Sequence, residues 1–237
     1  MVRIIVYAGL SLPFDEAKEI LDSTDDVEVI YKRPIQRGDL GQAMKERPDI
    51  IAIIDGVFHQ NSAVGHKEIL NAMKSGVKVY GASSMGALRA SELDTLGMIG
   101  AGYVYTQYAT GEVDSDDDVA VMLDSESLEA LSVPLINMKY VFSNAASENI
   151  ITEDERDALL KIAKKEFYPK RNYAQTLSQS DLDDAKKSEL IDFIRTSPDI
   201  KKEDAKDLLK LIKKEIDEID YSHPHYKTIF NMNQLND

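Results

Sequence analysis

The run Ile50-Ile51-Ala52-Ile53-Ile54-Asp55-Gly56 decides the fold. Five apolar residues in succession, with no polar alternation, read as a strand buried on both faces, as in the centre of a parallel sheet. Asp55-Gly56 closes it as a turn. Working outward, Val2 to Ala8 is a second β-branched run, followed by Gly9-Leu10-Ser11-Leu12-Pro13, with Pro13 suited to the first turn of a helix. Val27 to Tyr31 and Val77 to Tyr80 read as further strands. Helical stretches fall between the strands: Gly38 to Glu46, His66 to Lys74 through Ile69, Leu70 and Met73, and Met85 to Leu93. This alternation predicts an α/β fold, with a parallel-sheet N-terminal core domain covered by helices on both faces and a C-terminal helical region after it. The expected division is 1–145 for the core, 146–222 for the helical region and 223–237 for a flexible tail.

In the later region, Leu135 to Ala146 reads as one helix, and Thr152 with Glu155 forms a capping box ahead of a helix to Phe167. Ser180 with Asp183 reads as a further start, leading to Ile194. Asp204 to Ile219 carries an apolar stripe at Leu208, Ile212, Ile216 and Ile219. The acidic run Glu112 to Asp118 reads as a solvated loop capping a helix from Val119, in preference to a cation site. His223 and His225 lack a third ligand, so no metal and no cofactor is expected.

Composition narrows the function. The chain has 237 residues with 43% apolar and 30% charged, enough for a packed core. It contains no cysteine, which removes disulfides, zinc-thiolate sites, thiolate nucleophiles and persulfide carriers. Its net charge is −14, and residues 1–149 hold 12 basic against 23 acidic side chains, which argues against a nucleic-acid surface. With no membrane-length apolar stretch and no basic leader, the expected setting is the cytoplasm.

Ligands of such sheets bind beyond the carboxyl ends of the strands. Four loops converge there, with Gly9-Leu10-Ser11, Lys32-Arg33 through Arg37-Gly38-Asp39, Asp55-Gly56 through His66-Lys67, and Tyr80-Gly81-Ala82-Ser83-Ser84-Met85-Gly86-Ala87-Leu88-Arg89. The last resembles a nucleophile elbow, with small residues two before and two after a serine on a strand-to-helix turn. Ser84 fits, between Ala82 and Gly86. Ser83 fits less well, because Met85 would occupy its plus-two position. The competing readings are a simple serine N-cap and an anion cradle at the helix N-terminus. Candidate bases are His66, Lys67 and His59. A lysine base must be neutral, which costs roughly 4.6 kcal/mol at pH 7 from a reference pKa of about 10.4. Helix-N-terminal position and Arg33, Arg37 or Arg89 nearby would lower that cost for Lys67. An ordinary surface lysine, a packed or capping His66 and arginines paired to Asp39, Asp55 or Glu92 are the plainer alternatives.

Taken together, Gly9 to Pro13, Arg33-Pro34 to Leu40, Ile54 to Phe58, His66 to Leu70, Gly81 to Leu93, Gly97-Met98, Gly100 to Gly102 and Asp117 to Val121 follow one another as in TfuA proteins. The resemblance covers roughly residues 3–140 and weakens after about 145. It implies a partner of YcaO enzymes, which use ATP to activate a peptide amide so that sulfur replaces its oxygen. It also implies a serine-type hydrolase that frees sulfide from a ubiquitin-like sulfur carrier protein bearing a C-terminal thiocarboxylate. Carried over residue by residue, Ser84 is the nucleophile and Lys67 its general base. Met85 and Gly86, with Gly9 or Leu10, form the oxyanion turn, and Ser83, Arg33, Arg37, Arg89, Asp55 and His66 line the substrate site. Asp55 would orient Lys67 or Arg89, or cap its turn. The lysine-rich, cysteine-free C-terminus is most similar to the archaeal branch, whose peptide target, reached through YcaO, would be a glycine of the methyl-coenzyme M reductase alpha subunit. Two other readings stand beside it: a non-catalytic adaptor that docks the carrier and YcaO, and a small-molecule or nucleotide-binding α/β domain.

Overall fold

The computed structural model describes residues 1–58, 62–122, 130–219 and 221. The proposed tail at 223–237, with His223 and His225, lies outside the described residues, as does His59. The described residues divide into two compact units, one formed by 1–113 with the chain from 201 onward, the other by 114–200.

In the first unit, β1 (Val2–Tyr7), β2 (Val27–Lys32), β3 (Ile50–Ile53), β4 (Lys78–Gly81) and β5 (Ile99–Gly100) form one parallel sheet in the order β2-β1-β3-β4-β5. β3 lies between β1 and β4, with Tyr7 opposite Ile53 and Ile53 opposite Gly81. All four of its residues are buried, as a strand apolar on both faces requires. After β2 the chain crosses back over β1 to build β3. The strand order therefore reverses between β1 and β3, the place where open α/β sheets form a ligand crevice.

Around the sheet run α1 (Phe14–Ile20), α2 (Asp39–Ala43), α3 (His66–Lys74), α4 (Met85–Leu93) and α5 (Gly102–Ala109). Strand residues alternate between faces. Ile4, Val6, Ile50, Ala52 and Ile54 join one core cluster with Ala17 of α1, whereas the alternate residues Ile5, Ile51, Ile53 and Val79 are buried outside that cluster. α3 packs on β4, and α4 packs on β3 and β4. Both faces are thus covered, as expected.

In the second unit, α6 (Leu135–Ser147), α7 (Glu153–Lys165), α8 (Tyr173–Ser178) and α9 (Asp184–Thr196) share a core around Met138, Phe142, Ala145, Leu159 and Leu190. The capping box of α7 is formed in both directions, with Glu155 N donating to Thr152 Oγ1 at 3.2 Å and Thr152 N to Glu155 Oε2 at 2.7 Å. Asp183 alone caps α9, receiving the Lys186 N–H at 2.8 Å, while the Ser180 hydroxyl bonds the Leu177 carbonyl. The acidic run differs from expectation. No helix begins at Val119. Asp116–Asp118 form a short 3-10 turn capped by Ser115, and Asp117 receives the fully buried Arg171 guanidinium at 2.7 Å. Burial pushes the Asp118 carboxyl upward.

The last helix, α10 (Ile200–Asp217), begins before the expected Asp204 and returns to the first unit. Its Ala205, Leu208, Leu209, Ile212 and Ile216 complete the cluster with α1 and the sheet. Glu215 binds both Lys78 and Tyr80 of β4, and Lys202 pairs with Glu16 of α1 at 2.7 Å. The chain from 201 onward therefore groups with the first unit, because the apolar stripe of α10 packs on the sheet. Asp204 pins this helix further, accepting the Tyr103 and Val104 N–H groups at 2.8 and 2.7 Å at the start of α5. A Cβ on Gly102, whose φ is +90°, would lie 2.4 Å from the Asp204 carboxyl carbon, so only glycine admits the cap.

Candidate active site

The turn from β4 into α4 is compressed from both sides. A Cβ on Gly81 would lie 2.1 Å from the Gly86 carbonyl oxygen, and one on Gly86 would lie 1.7 Å from the Ile53 carbonyl oxygen. These two glycines let α4 start hard against β3 and β4. Between them, Ser83 takes φ of +69°, so the strained position expected of an elbow falls one residue before Ser84. Ser83 is fully buried, and its hydroxyl has no hydrogen-bond partner among the described residues.

Ser84 is 3% exposed and occupies the N-cap position of α4, but its side chain makes no capping bond. The simple N-cap role is therefore not what this hydroxyl performs. Its backbone N–H is held by the Ala82 carbonyl at 2.8 Å. The N–H of Met85 has no hydrogen bond among the described residues, and the first N–H groups of a helix carry its positive dipole end. Gly86, expected as a second donor, already gives its N–H to the Ile54 carbonyl at 3.3 Å. That bond is a consequence of the same close approach.

Asp55 sits at the β1/β3 switch point, 1% exposed. Oδ2 accepts the N–H groups of Leu10 and Ser11 at 2.9 and 2.8 Å, and Oδ1 accepts the Ser11 hydroxyl at 2.6 Å. Asp55 thus fixes the loop after β1 and pairs with neither Lys67 nor Arg89. The Leu10 N–H, expected as an oxyanion donor, is already donated to Asp55. The N–H of Gly9 makes no hydrogen bond among the described residues. The Ser11–Asp55 bond escaped the sequence reading. Both residues stand at strand ends, but their meeting depends on β1 and β3 being neighbours.

The expected cations are placed unequally. Arg89 is mostly buried, donating from Nε to the Val64 carbonyl at 3.1 Å and pairing with Glu92 at 2.6 Å. His66 Nε2 approaches the same Glu92 at 2.8 Å. Arg33 is 59% exposed and only 3.4 Å from Asp39. With Tyr7, Lys32, Asp39 and Gln42 it lines an open cleft. Burial, then the nearby Asp39 and Glu46, push the Tyr7 hydroxyl well above the usual phenol range. Arg37 does not line this cleft; its Nε lies 3.5 Å from the Ala63 carbonyl.

Lys67 is exposed in the first turn of α3, with no ion pair or hydrogen bond among the described residues. Ile69, Ala72 and Met73 form the buried face of α3. At 100° per residue Lys67 falls on the opposite face, and no hydrogen bond joins it to Ser84. The turn and the lysine are both present, but the structure leaves them unbonded.

Among the described residues, no group of three or more potential metal ligands comes together, and no helix is long and apolar enough to cross a membrane. Residues 55–172 match the family model described as TfuA-like protein. The match begins at the Asp55 that anchors the switch-point loop and runs past residue 145, where the resemblance read from the sequence weakens. No curated protein matches the chain.

Proposed function

This chain belongs to the TfuA-like protein family, accessory proteins of thioamidation that associate with YcaO-type partners, and on that premise we propose that it is a serine-type hydrolase acting on a protein thiocarboxylate. What carries this reading is a buried serine at an N-cap position that does not cap, beside a Met85 N–H and a Ser83 hydroxyl that have no hydrogen-bond partner among the described residues. In the proposed reaction, Ser84 Oγ attacks the thiocarboxylate carbon of a ubiquitin-like sulfur carrier. The Ser84 proton passes to neutral Lys67, and the Met85 N–H and Ser83 hydroxyl hold the oxyanion. The C–S bond breaks, Lys67 returns the proton to sulfur, and hydrosulfide leaves. Water then cleaves the Ser84 ester, restoring the hydroxyl and releasing the carrier carboxylate with one proton. Lys67, having no partner among the described residues, would swing toward the turn as substrate binds. Exposed Arg33, with Arg37, supplies the positive charge that an anionic substrate needs at an acidic surface. The sulfide feeds a YcaO-type enzyme whose peptide target is the methyl-coenzyme M reductase alpha subunit in an archaeal setting.

The orientation of Lys67 away from the buried face of α3 favours a second reading, in which the protein docks the carrier and the YcaO-type enzyme without catalysis. Incubating purified protein with thiocarboxylated carrier separates the two. Sulfide release should fall at least about 100-fold in Ser84→Ala and about tenfold or more in Lys67→Ala, with unfolding midpoints unchanged. Release undiminished by Ser84→Ala overturns the catalytic reading, and carrier binding without release by the wild type establishes the adaptor.

A further inference from the structure

The second unit carries a feature that hydrolysis does not use. Phe167 is 67% exposed, the most exposed large hydrophobic side chain among the described residues. Its ring meets that of Tyr168 edge-on with centroids 4.9 Å apart. Residues 161–170 contain four lysines and a single carboxylate, in a chain of net charge −14. Lys161, Lys164, Lys165 and Lys170 are all exposed and make no ion pair or hydrogen bond among the described residues, though Lys164 is close enough to act on Asp118 electrostatically. A helix dipole accounts for cations in the last turn of α7, but not for an exposed phenylalanine or for Lys170 beyond the helix end.

The corner is held rigid from beneath. Arg171, fully buried, donates to the carbonyls of Ala163 and Glu166 on either side of the lysine pair, at 3.0 and 3.1 Å. Tyr168–Lys170 form a 3-10 turn around Pro169. A preordered aromatic anchor with a charged rim is the pattern of an interface hot spot. We propose that Phe167 and Tyr168, ringed by Lys161, Lys164, Lys165 and Lys170, dock an acidic protein surface bearing an apolar pocket, and that this surface lies on the YcaO-type partner. A symmetric contact with a second copy would set lysines against lysines, which disfavours self-association here. The inference rests on the family's association with YcaO-type enzymes and not on the hydrolase chemistry.

The test titrates the YcaO-type partner from the same source against full-length wild type, Phe167→Ser and the triple variant Lys164→Glu, Lys165→Glu, Lys170→Glu. Each variant should weaken Kd about tenfold or more, and charge reversal should flatten the loss of affinity between about 50 and 300 mM salt. The unfolding midpoint of Phe167→Ser should stay at the wild-type value, since the ring is solvent-exposed. Sulfide release from thiocarboxylated carrier in the absence of partner reports separately on the hydrolase reading and should be the same in all three proteins. Kd values within twofold of wild type, absence of wild-type binding, or loss only of a homodimer in sedimentation would overturn the proposal.

Discussion

In the unit 114–200 the guanidinium of Arg171 is fully buried and makes four hydrogen bonds, to the Asp117 carboxylate and to the carbonyls of Asp117, Ala163 and Glu166. In the sheet unit Ser83 is equally buried, yet among the described residues neither its hydroxyl nor the Met85 N–H two residues on has a hydrogen-bond partner. A buried charge is tolerated only when it is well bonded, so Arg171 reads as a structural tie. A buried orphan on a strained, glycine-pinched turn is tolerated when the fold holds it for something else. The contrast separates polar burial satisfied by the fold from polar burial left unsatisfied, which the proposed reaction would put to use.

The comparison breaks first at Arg171. Arg171→Met removes the donor from three carbonyls and a carboxylate, and should cost about 3–5 kcal/mol in urea unfolding followed by far-UV circular dichroism. A loss below about 1 kcal/mol would show that water replaces the guanidinium. Asp204 gives the intermediate effect. Burial raises its carboxyl to about 6, above the unfolded reference of 3.8, despite the two backbone donors. The folded state therefore binds the extra proton between those values, and the stability it confers is present below about pH 4 and lost as pH rises through 6. Relative to Asp204→Asn, the wild type should lose about 2–3 kcal/mol between pH 4 and 7. Parallel pH profiles for the two proteins would show that the carboxyl titrates normally. The smallest shift in stability belongs to Ser83→Ala, which deletes an unbonded hydroxyl and should leave stability unchanged or raised by up to about 1 kcal/mol. The same variant should lower sulfide release about tenfold, because the hydroxyl is proposed to donate to the oxyanion. A drop in stability without a drop in release would place Ser83 with Arg171 as a structural group.

Much of the fold was legible because local periodicity and turn chemistry agree. Ile50–Ile53 is a buried strand, His66–Lys74 and Met85–Leu93 are helices, and Thr152 with Glu155 caps α7. The serine turn was legible too, through the small residues around it. The orientation of Lys67 was legible in principle, since it stands two residues from Ile69 on a helix. In the expected loop Glu112–Asp118 the tie at Asp117 was not legible, because its partner Arg171 lies 54 residues away.

By itself the sequence determined the four long strands, the helices at His66–Lys74, Met85–Leu93 and Leu135–Ser147, which faces are apolar, and that no thiol can carry sulfur in this protein. Those properties depend on side-chain type and on spacing within about one turn or one strand. Only the tertiary structure decided that α10 returns to cover the sheet, that Asp55 holds Ser11, that Gly86 gives its N–H to Ile54, and that Ser84 is left without a capping bond. Each of these depends on which strands become neighbours and how closely a helix approaches them. That is set by packing between segments far apart in the chain, and no local pattern encodes it.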